Sequence, residues 1–324
     1  MKNIFFIVVL CLLVFLLFRY YWKLQIMYNS SILSLYTPET FEIDESLREK
    51  HDDLIDTGYA YAKLNTIIIA TMLRDVEDRL PQIEKKVEAL GEMFLDYRVL
   101  IVENDSKDHT RKYLLSWANR NPKIIVLGCG INERVCDLKL PKTLEHSPDR
   151  KRIEKMVYLR NIYLSYTKEH FDDWTYMAIW DLDVIGATYM DGVANTMGWY
   201  CHDLNKEIDV ICANGIYRFG FMTWFYDTYA FQEEGDNYKS SDQNMHNIKK
   251  GLGTQYTRGH DLIDVKSCFS GFSIYRMECV LDPKVFYDMS GPDNTECEHV
   301  QLHKKIKGKK MMNPSMINFI LLND

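Results

Sequence analysis

Two carboxylates one residue apart, Asp181 and Asp183, interrupt the apolar stretch WTYMAIWDLDVIG at residues 174–186. Side chains at i and i+2 of a strand share a face, so the pair can converge on one point. Carboxylates that close repel each other unless a cation lies between them. Such hard oxygen ligands suit Mg²⁺ or Mn²⁺, which complete their shells with water and substrate phosphate. A bare D-x-D also marks a strand end turning out to solvent. Four further groupings bear on that choice. ENDSKDHT (103–110) gathers Glu103, Asn104 and Asp105 ahead of the capping residues Ser106, Asp108 and Thr110. Capping needs one such side chain, and the others could read a ribose or base edge. In MVYLRNIYLSY (156–166), Arg160 interrupts an apolar stripe of Ile153, Val157 and Leu164. Either it snorkels to the surface, or with Asn161 it reaches a diphosphate, which a guanidinium fork fits well. Ser270-Gly271 interrupts the strand-like run SCFSGFSIYR (267–276), and glycine there implies close approach of a ligand or another backbone. Finally, NTECEHVQLHKKI (294–306) concentrates Glu296, Glu298, His299 and His303, with the two histidines one helical turn apart. The zinc-protease pattern fails here, because Val300 stands where it requires glutamate.

These groups need a scaffold, and the sequence supplies an alternating one. TIIIATML (66–73) reads as a buried strand, and Ile83, Val87 and Leu90 carry helical spacing through 76–94. YRVLIVEN (97–104), a helix over 109–120, KIIVLG (123–128), a long helix over 151–170 and YMAIWDLDV continue the alternation. Strand and helix in turn imply an α/β fold with a mostly parallel sheet covered on both faces. Ligands in such sheets lie at the carboxyl ends of the strands, where both the aspartate pair and ENDSKDHT fall.

Residues Ile4 to Phe18 are uninterrupted apolar and run into Arg19-Tyr20-Tyr21-Trp22-Lys23. With the aromatic belt counted, this approaches the ~20 residues of a membrane span. The bulky basic flank lacks a small-x-small cleavage site, so an uncleaved, single-pass signal anchor over 1–23 is expected. Lys2 and the amino terminus oppose Arg19 and Lys23 across it, which leaves the orientation open, with type II the expectation. Residues 24–62 are polar and aperiodic and suit a stem, leaving 63–324 as one catalytic domain. A net charge of −7 argues against a nucleic-acid partner. The eight cysteines contain no CxxC pair and do not settle the compartment; Asn29-Ser30-Ser31 is a glycosylation sequon.

In this order the motifs resemble those of GT-A-type nucleotide-sugar glycosyltransferases over roughly residues 64–320. IIIATMLRD resembles the opening strand of that Rossmann-like fold, with Arg74 at its end. ENDSKDHT resembles the N-D-x-S-x-D-x-T loop, LRN the donor-contacting Arg-Asn helix and WDLDV the D-x-D metal strand. CFSGFSIYR resembles the acceptor-side S-G-G-F segment, and CEHVQLH takes the place of E-D-x-x-L. The arrangement is most similar to the fungal capsule-associated α-1,3-mannosyltransferase family and related viral glycosyltransferases. The resemblance implies a metal-dependent transfer from a GDP- or UDP-linked sugar to a glycan or glycoprotein. It implies that Arg74, Glu103, Asp105, Arg160, Asn161, Ser270 and Gly271 contact the donor. Asp181 would meet ribose or metal, Asp183 would bind Mn²⁺ or Mg²⁺, and His303 would serve as third ligand. His299 stands where inverting members carry an aspartate base, so Glu298 takes over that role or the enzyme is retaining. Rival readings are a nucleotidyl- or phosphotransferase on the same site and a non-catalytic glycan-binding protein of the same fold.

Overall fold

The computed structural model of the chain describes residues 13, 15, 16, 34–128, 150–219, 222–234, 256–289 and 296–321. The expected anchor and the glycosylation sequon lie almost wholly outside them, and among the described residues no helix is long and apolar enough to cross a membrane. The first long element is α1 (Arg48–Ala62), which buries His51, Leu54, Gly58 and Ala62. Their spacing of three, four and four residues is helical, but two of the four are too small to show as an apolar stripe. The second half of the expected stem is therefore part of the folded domain.

The parallel half of the sheet then builds in order. β1 (Thr66–Leu73) leads through α2 (Leu80–Glu92) to β2 (Asp96–Glu103), and α3 (Thr110–Arg120) leads to β3 (Ile124–Gly128). After α4 (Arg150–His170), β4 (Tyr176–Trp180) pairs parallel with β1 on the side away from β2. The strand order 3-2-1-4 thus reverses between β1 and β4, which opens a crevice at their carboxyl ends. β4 is buried at all five positions and stops at Trp180.

Past β4 the sheet becomes mixed. β5 (Gly186–Thr188), α5 (Met190–His202), β6 (Ile208–Phe219), β7 (Met222–Phe225), β8 (Gln232–Glu233) and β9 (Ile263–Ser267) follow. β10 (Phe272–Arg276) inserts antiparallel between β4 and β6. The short helices α6 (Met277–Leu281) and α7 (Glu298–His303) precede β11 (Lys309–Leu321), which runs parallel to β6. The fold is α/β, parallel across its first four strands and mixed beyond.

Two cores flank the sheet. On one face Val193, Ala194 and Met197 of α5 pack with Ala62, Ile83, Val87, Leu114 and Trp117. On the other, Leu159, Tyr163 and Leu164 of α4 pack with Val280, Val300 and Leu302. α1 lies so close to α5 that a Cβ on Gly58 would collide with the Ala194 carbonyl, and one on Gly198 with the Leu54 carbonyl. A single disulfide among the described residues joins Cys212 of β6 to Cys268, just ahead of the Ser270-Gly271 turn, and both cysteines are fully buried.

Candidate active site

The aspartate pair lies in the turn after β4 rather than on the strand, so strand periodicity is not what aligns it. Asp181 is held from two sides. Its backbone N–H donates to the Gly271 carbonyl at 2.9 Å, and Oδ1 accepts from Arg160 Nη2 at 3.2 Å. Asp183 is exposed. Arg79 donates to its backbone carbonyl, which fixes the turn without engaging the carboxylate.

Arg160 is the hub. It is buried, yet it neither snorkels outward nor reaches into the cleft. Nε donates to Glu298 Oε1 at 3.0 Å and Nη1 to the Tyr163 hydroxyl at 3.2 Å, while Phe269 and Tyr287 cover the guanidinium at 5.2 and 5.8 Å from their ring centres. Burial works against its charge, but Asp181, Tyr163 and Glu298 outweigh that and hold it protonated. It meets the cleft through Asp181. Asn161 is also committed: Nδ2 donates to the Tyr287 carbonyl at 2.9 Å and Oδ1 accepts the Tyr287 N–H at 3.0 Å. Arg160 is buried and turned to partners inside the protein, and Asn161 is bound to the Tyr287 backbone, so neither is presented to the cleft as the diphosphate role needs.

The loop after β2 interlocks the ends of β1 and β2. The Ser106 hydroxyl accepts from Asp75 N, Asp108 from Glu77 N and Thr110 N, and Thr110 Oγ1 from Val76 N. Glu103 is fully buried and accepts from Ser106 N at 2.7 Å and Arg111 Nε at 2.9 Å. It cannot touch a nucleoside; its work is to shape the loop. Asp105 does reach the surface there, in a left-handed conformation at φ 52°, and Arg74 pairs with Asp75 at 3.3 Å.

At the other wall, Ser270 and Gly271 are consecutive left-handed residues, φ 54° and 76°. The close approach that Gly271 permits is to Asn318, whose Nδ2 would lie 2.6 Å from an added Cβ and which donates to the Ser270 carbonyl at 2.7 Å. The approaching group belongs to the protein and is not a ligand. Ser270 N donates at 2.9 Å to Asp227 Oδ2, an acid that the sequence patterns did not single out. Asp227 follows β7 in WFYDTY, without a motif partner, and its φ of 64° is the only local sign of a special position.

The carboxyls crowd one another. Desolvation lifts Asp181 to about 6 against the pull of Arg160, with Asp183 and Glu298 adding to the rise. Burial lifts Asp227 to about 7, opposed by the Ser270 N–H and reinforced by Asp181 and Glu298. Desolvation in the cleft also raises Asp183, although the residue itself is exposed. Clustered acids poised near neutrality are a usual mark of a functional site.

The two histidines do not belong to this set. His303 is fully buried; Nδ1 accepts from Ser267 Oγ at 3.0 Å and Nε2 donates to the Tyr275 hydroxyl at 2.9 Å. With both nitrogens engaged in the core it is not a metal ligand, and burial lowers it to about 3. His299 stacks on Phe269 at 3.7 Å and meets Tyr287 edge-on, 1% exposed, with neither ring nitrogen hydrogen-bonded. Burial, then the charge of Arg160, keep it neutral, and it has no opening toward an acceptor. Glu298 is likewise buried and engaged, as the anchor of Arg160.

Among the described residues no three metal-ligating side chains are grouped to hold an ion unaided. A hard divalent ion that draws most of its shell from water and a diphosphate needs only one or two carboxylates. Asp183, exposed, and Asp181, part-exposed beside it, fit that demand.

The profile of the family described as Cryptococcal mannosyltransferase 1 matches residues 66–304, well over half the chain. The chain belongs to that mannosyltransferase family. The match includes every candidate site residue from Arg74 to His303 and stops before β11. No curated protein sequence matches this family member. Among solved structures it is similar to the mannosyltransferase PcManGT from Pyrobaculum calidifontis in complex with GDP-Man and Mn²⁺, at 11% identity and TM-score 0.41, covering 85% of this chain and 66% of that one. It is also similar to S. aureus TarS in complex with UDP-GlcNAc, at 11% identity and TM-score 0.43, covering 80% and 59%. The chain thus spans about three fifths to two thirds of the length of these structures.

Proposed function

We propose that this chain transfers a sugar, mannose by family membership, from a nucleotide-sugar donor to a glycan or glycoprotein acceptor with the help of Mn²⁺ or Mg²⁺. The observation that carries this reading is the turn after β4, where an exposed Asp183 adjoins an Asp181 clamped by Arg160 and Gly271 at the β1–β4 crevice. The ion would be held by Asp183 and Asp181 and would stabilise the departing nucleoside diphosphate. The protein's own part is to fix both carboxylates and exclude water beneath them. Arg160 neutralises Asp181 from below, and the Phe269 and Tyr287 rings seal the guanidinium from solvent. Asp227, beside the Ser270-Gly271 turn, is the acid placed to meet a sugar hydroxyl. The buried Cys212–Cys268 disulfide favours an oxidising compartment, which agrees with a lumenal domain behind the expected type II anchor.

Thermal-shift titration of GDP- and UDP-linked sugars with and without Mn²⁺, followed by product analysis, tests the reading. Metal-dependent stabilisation by one donor, with sugar transferred and free nucleoside diphosphate released, supports it. Release of pyrophosphate or transfer of the nucleotide would replace it with the nucleotidyltransferase reading. Absence of both metal and donor binding would leave a glycan-binding protein of this fold.

A further inference from the structure

β4 and β6 both run antiparallel to the β10 between them, so they are parallel to each other and their carboxyl ends share one edge of the sheet. Gly215 and Tyr217, late in β6, therefore stand on the same edge as the Asp181 turn. Across the hairpin Tyr217 is paired with Trp224 of β7, and the Tyr226 N–H continues the ladder by donating to the Gly215 carbonyl at 2.9 Å. Directly opposed residues, and residues two apart along a strand, share a face. Tyr217, Trp224 and Tyr226 thus lie with Gly215 on one face of the hairpin, while Ile216 and Phe225 turn to the other and pack into the cores. The first face is a row of rings. Tyr217 stacks on Trp224 with centres 5.9 Å apart and planes 27° apart, and it meets Tyr226 edge-on at 6.4 Å. The inner end of the row abuts the Ser270-Gly271 turn. A Cβ on Gly215 would collide with the Ser270 side chain, and one on Gly271 would lie 3.8 Å from Tyr226 Cε1. Gly271 is the residue whose carbonyl holds the Asp181 N–H, so the row starts at the cleft and leads outward from it. All three rings are part-exposed, whereas Tyr163, Tyr200 and Tyr275 are buried. Burial raises both the Tyr217 and the Tyr226 hydroxyls, which stay protonated.

We propose that this aromatic face is the acceptor subsite, with a sugar ring of a neutral glycan stacked on Tyr217 and Trp224 and its reactive hydroxyl turned toward Asp227 at the inner end. This rests on the reading of the cleft as a nucleotide-sugar site. The nucleotide belongs at the β1–β4 crevice, where the strand order reverses, which leaves the β6 side of Asp181 for the second substrate. Tyrosine and tryptophan offer flat faces of negative potential that suit the C–H face of a sugar, and they lose little freedom in presenting them. A few polar groups at the end of such a surface fix the orientation of what lies on it. Asp227, held by the Ser270 N–H, is one of these, and its charge disfavours an anionic occupant.

The test uses the full chain and its Tyr217→Ala, Trp224→Ala, Tyr217→Phe and Trp224→Phe variants. GDP and UDP are titrated calorimetrically with Mn²⁺, and an array of neutral and anionic oligosaccharides is read with whichever diphosphate the parent binds. The parent should retain neutral glycans. Each alanine variant should bind those glycans about tenfold more weakly, because a stacking face is lost. The phenylalanine variants keep a ring and should stay within about threefold of the parent. Diphosphate affinity should be the same in all five proteins. Unchanged glycan affinity in either alanine variant overturns the subsite and leaves the glycosyltransferase reading intact. So does a parent that binds diphosphate but retains no neutral glycan, or that prefers sialylated or phosphorylated ones. Equal loss of diphosphate and glycan binding in the alanine variants shows that the rings only support the fold, and it overturns the subsite too. A parent that binds neither diphosphate nor glycan overturns both readings.

Discussion

Replacing Arg160 with methionine removes a buried cation but keeps most of the bulk of its stem. Three hydrogen bonds go with it, two of them to carboxylates whose side chains are only 7% exposed, in Glu298, and 23%, in Asp181. Deleting one partner of a buried pair costs ~3–5 kcal/mol because the other charge stays behind uncompensated. Here two charges stay behind, and each can escape by taking up a proton. Asp181 already stands at about 6 in the folded protein, above the ~3.9 of an unfolded aspartate. Without Arg160, the chief influence holding it down, it rises further. A carboxyl raised on folding stabilises the fold below its unfolded pKa and loses that contribution as pH climbs through the folded value. The deficit of Arg160→Met is therefore greatest near pH 7.5 and smaller by ~1–3 kcal/mol at pH 5, at ~1.4 kcal/mol per pKa unit. Urea unfolding of parent and variant at both pH values measures this directly, and the parent's other titrations cancel in the difference. Adding Glu298→Gln removes one stranded charge and should recover ~1–2 kcal/mol at pH 7.5. A deficit below ~1 kcal/mol, or one equal at the two pH values, would refute the bridge as a charge-neutralising element.

Asp183→Asn should abolish Mn²⁺-dependent donor stabilisation and transfer while leaving the melting temperature of the free protein nearly unchanged, because the side chain is exposed; near-normal turnover in Mn²⁺ would contradict the metal assignment. His299→Phe should hold stability to within ~1 kcal/mol or raise it, since both ring nitrogens lack partners, and it should retain activity; loss of turnover with intact donor binding would restore a catalytic role. His303 is lowered on folding, so its contribution is present above ~pH 6.5 and declines as pH falls toward 3, costing ~2 kcal/mol by pH 5; His303→Gln should flatten that part of the acid limb in pH-resolved unfolding. Gly58→Val should destabilise by ~1–3 kcal/mol or more through overpacking against α5, and deletion of residues 1–62 should give insoluble protein where deletion of 1–33 does not. Soluble, active protein from the longer deletion would show that α1 is dispensable.

The parallel half of the fold was legible because its signals are local. Short β-branched runs such as TIIIATML and the spacing of Ile83, Val87 and Leu90 place β1 and α2 within a few residues of where they lie. The aspartate pair was legible from its position after such a run. Other features turned on long-range partners. Arg160 reads as a misplaced surface charge or a ligand contact until Glu298, 138 residues away, is seen beside it. His303 offers the right chemistry for a metal, and only Ser267 and Tyr275 show that both its nitrogens are taken. α1 escaped notice because its seam is built from Gly58 and Ala62, residues chosen for closeness rather than hydrophobicity. β11 opens KKMMNPS, whose paired lysines and proline obscure the apolar MINFIL that follows, yet it pairs with three strands, β5, β6 and β9.

That last strand sets when the enzyme can begin to work. Asn318 on β11 donates to the Ser270 carbonyl and accepts the Thr188 hydroxyl at 2.8 Å, and Gly271 in turn receives the Asp181 N–H. The turn bearing Asp181 and Asp183 is therefore braced by a residue made more than a hundred positions later. During synthesis the N-terminal strands can pair as they emerge. The cleft stays unfinished until β11 has been added, so a nascent chain already carrying every recognisable motif is expected to be catalytically silent. A chain stopped after residue 306 should keep a folded parallel half, seen as protease-resistant fragments, yet show no metal-dependent donor binding. If that truncated chain binds donor normally, the site matures without its closing strand.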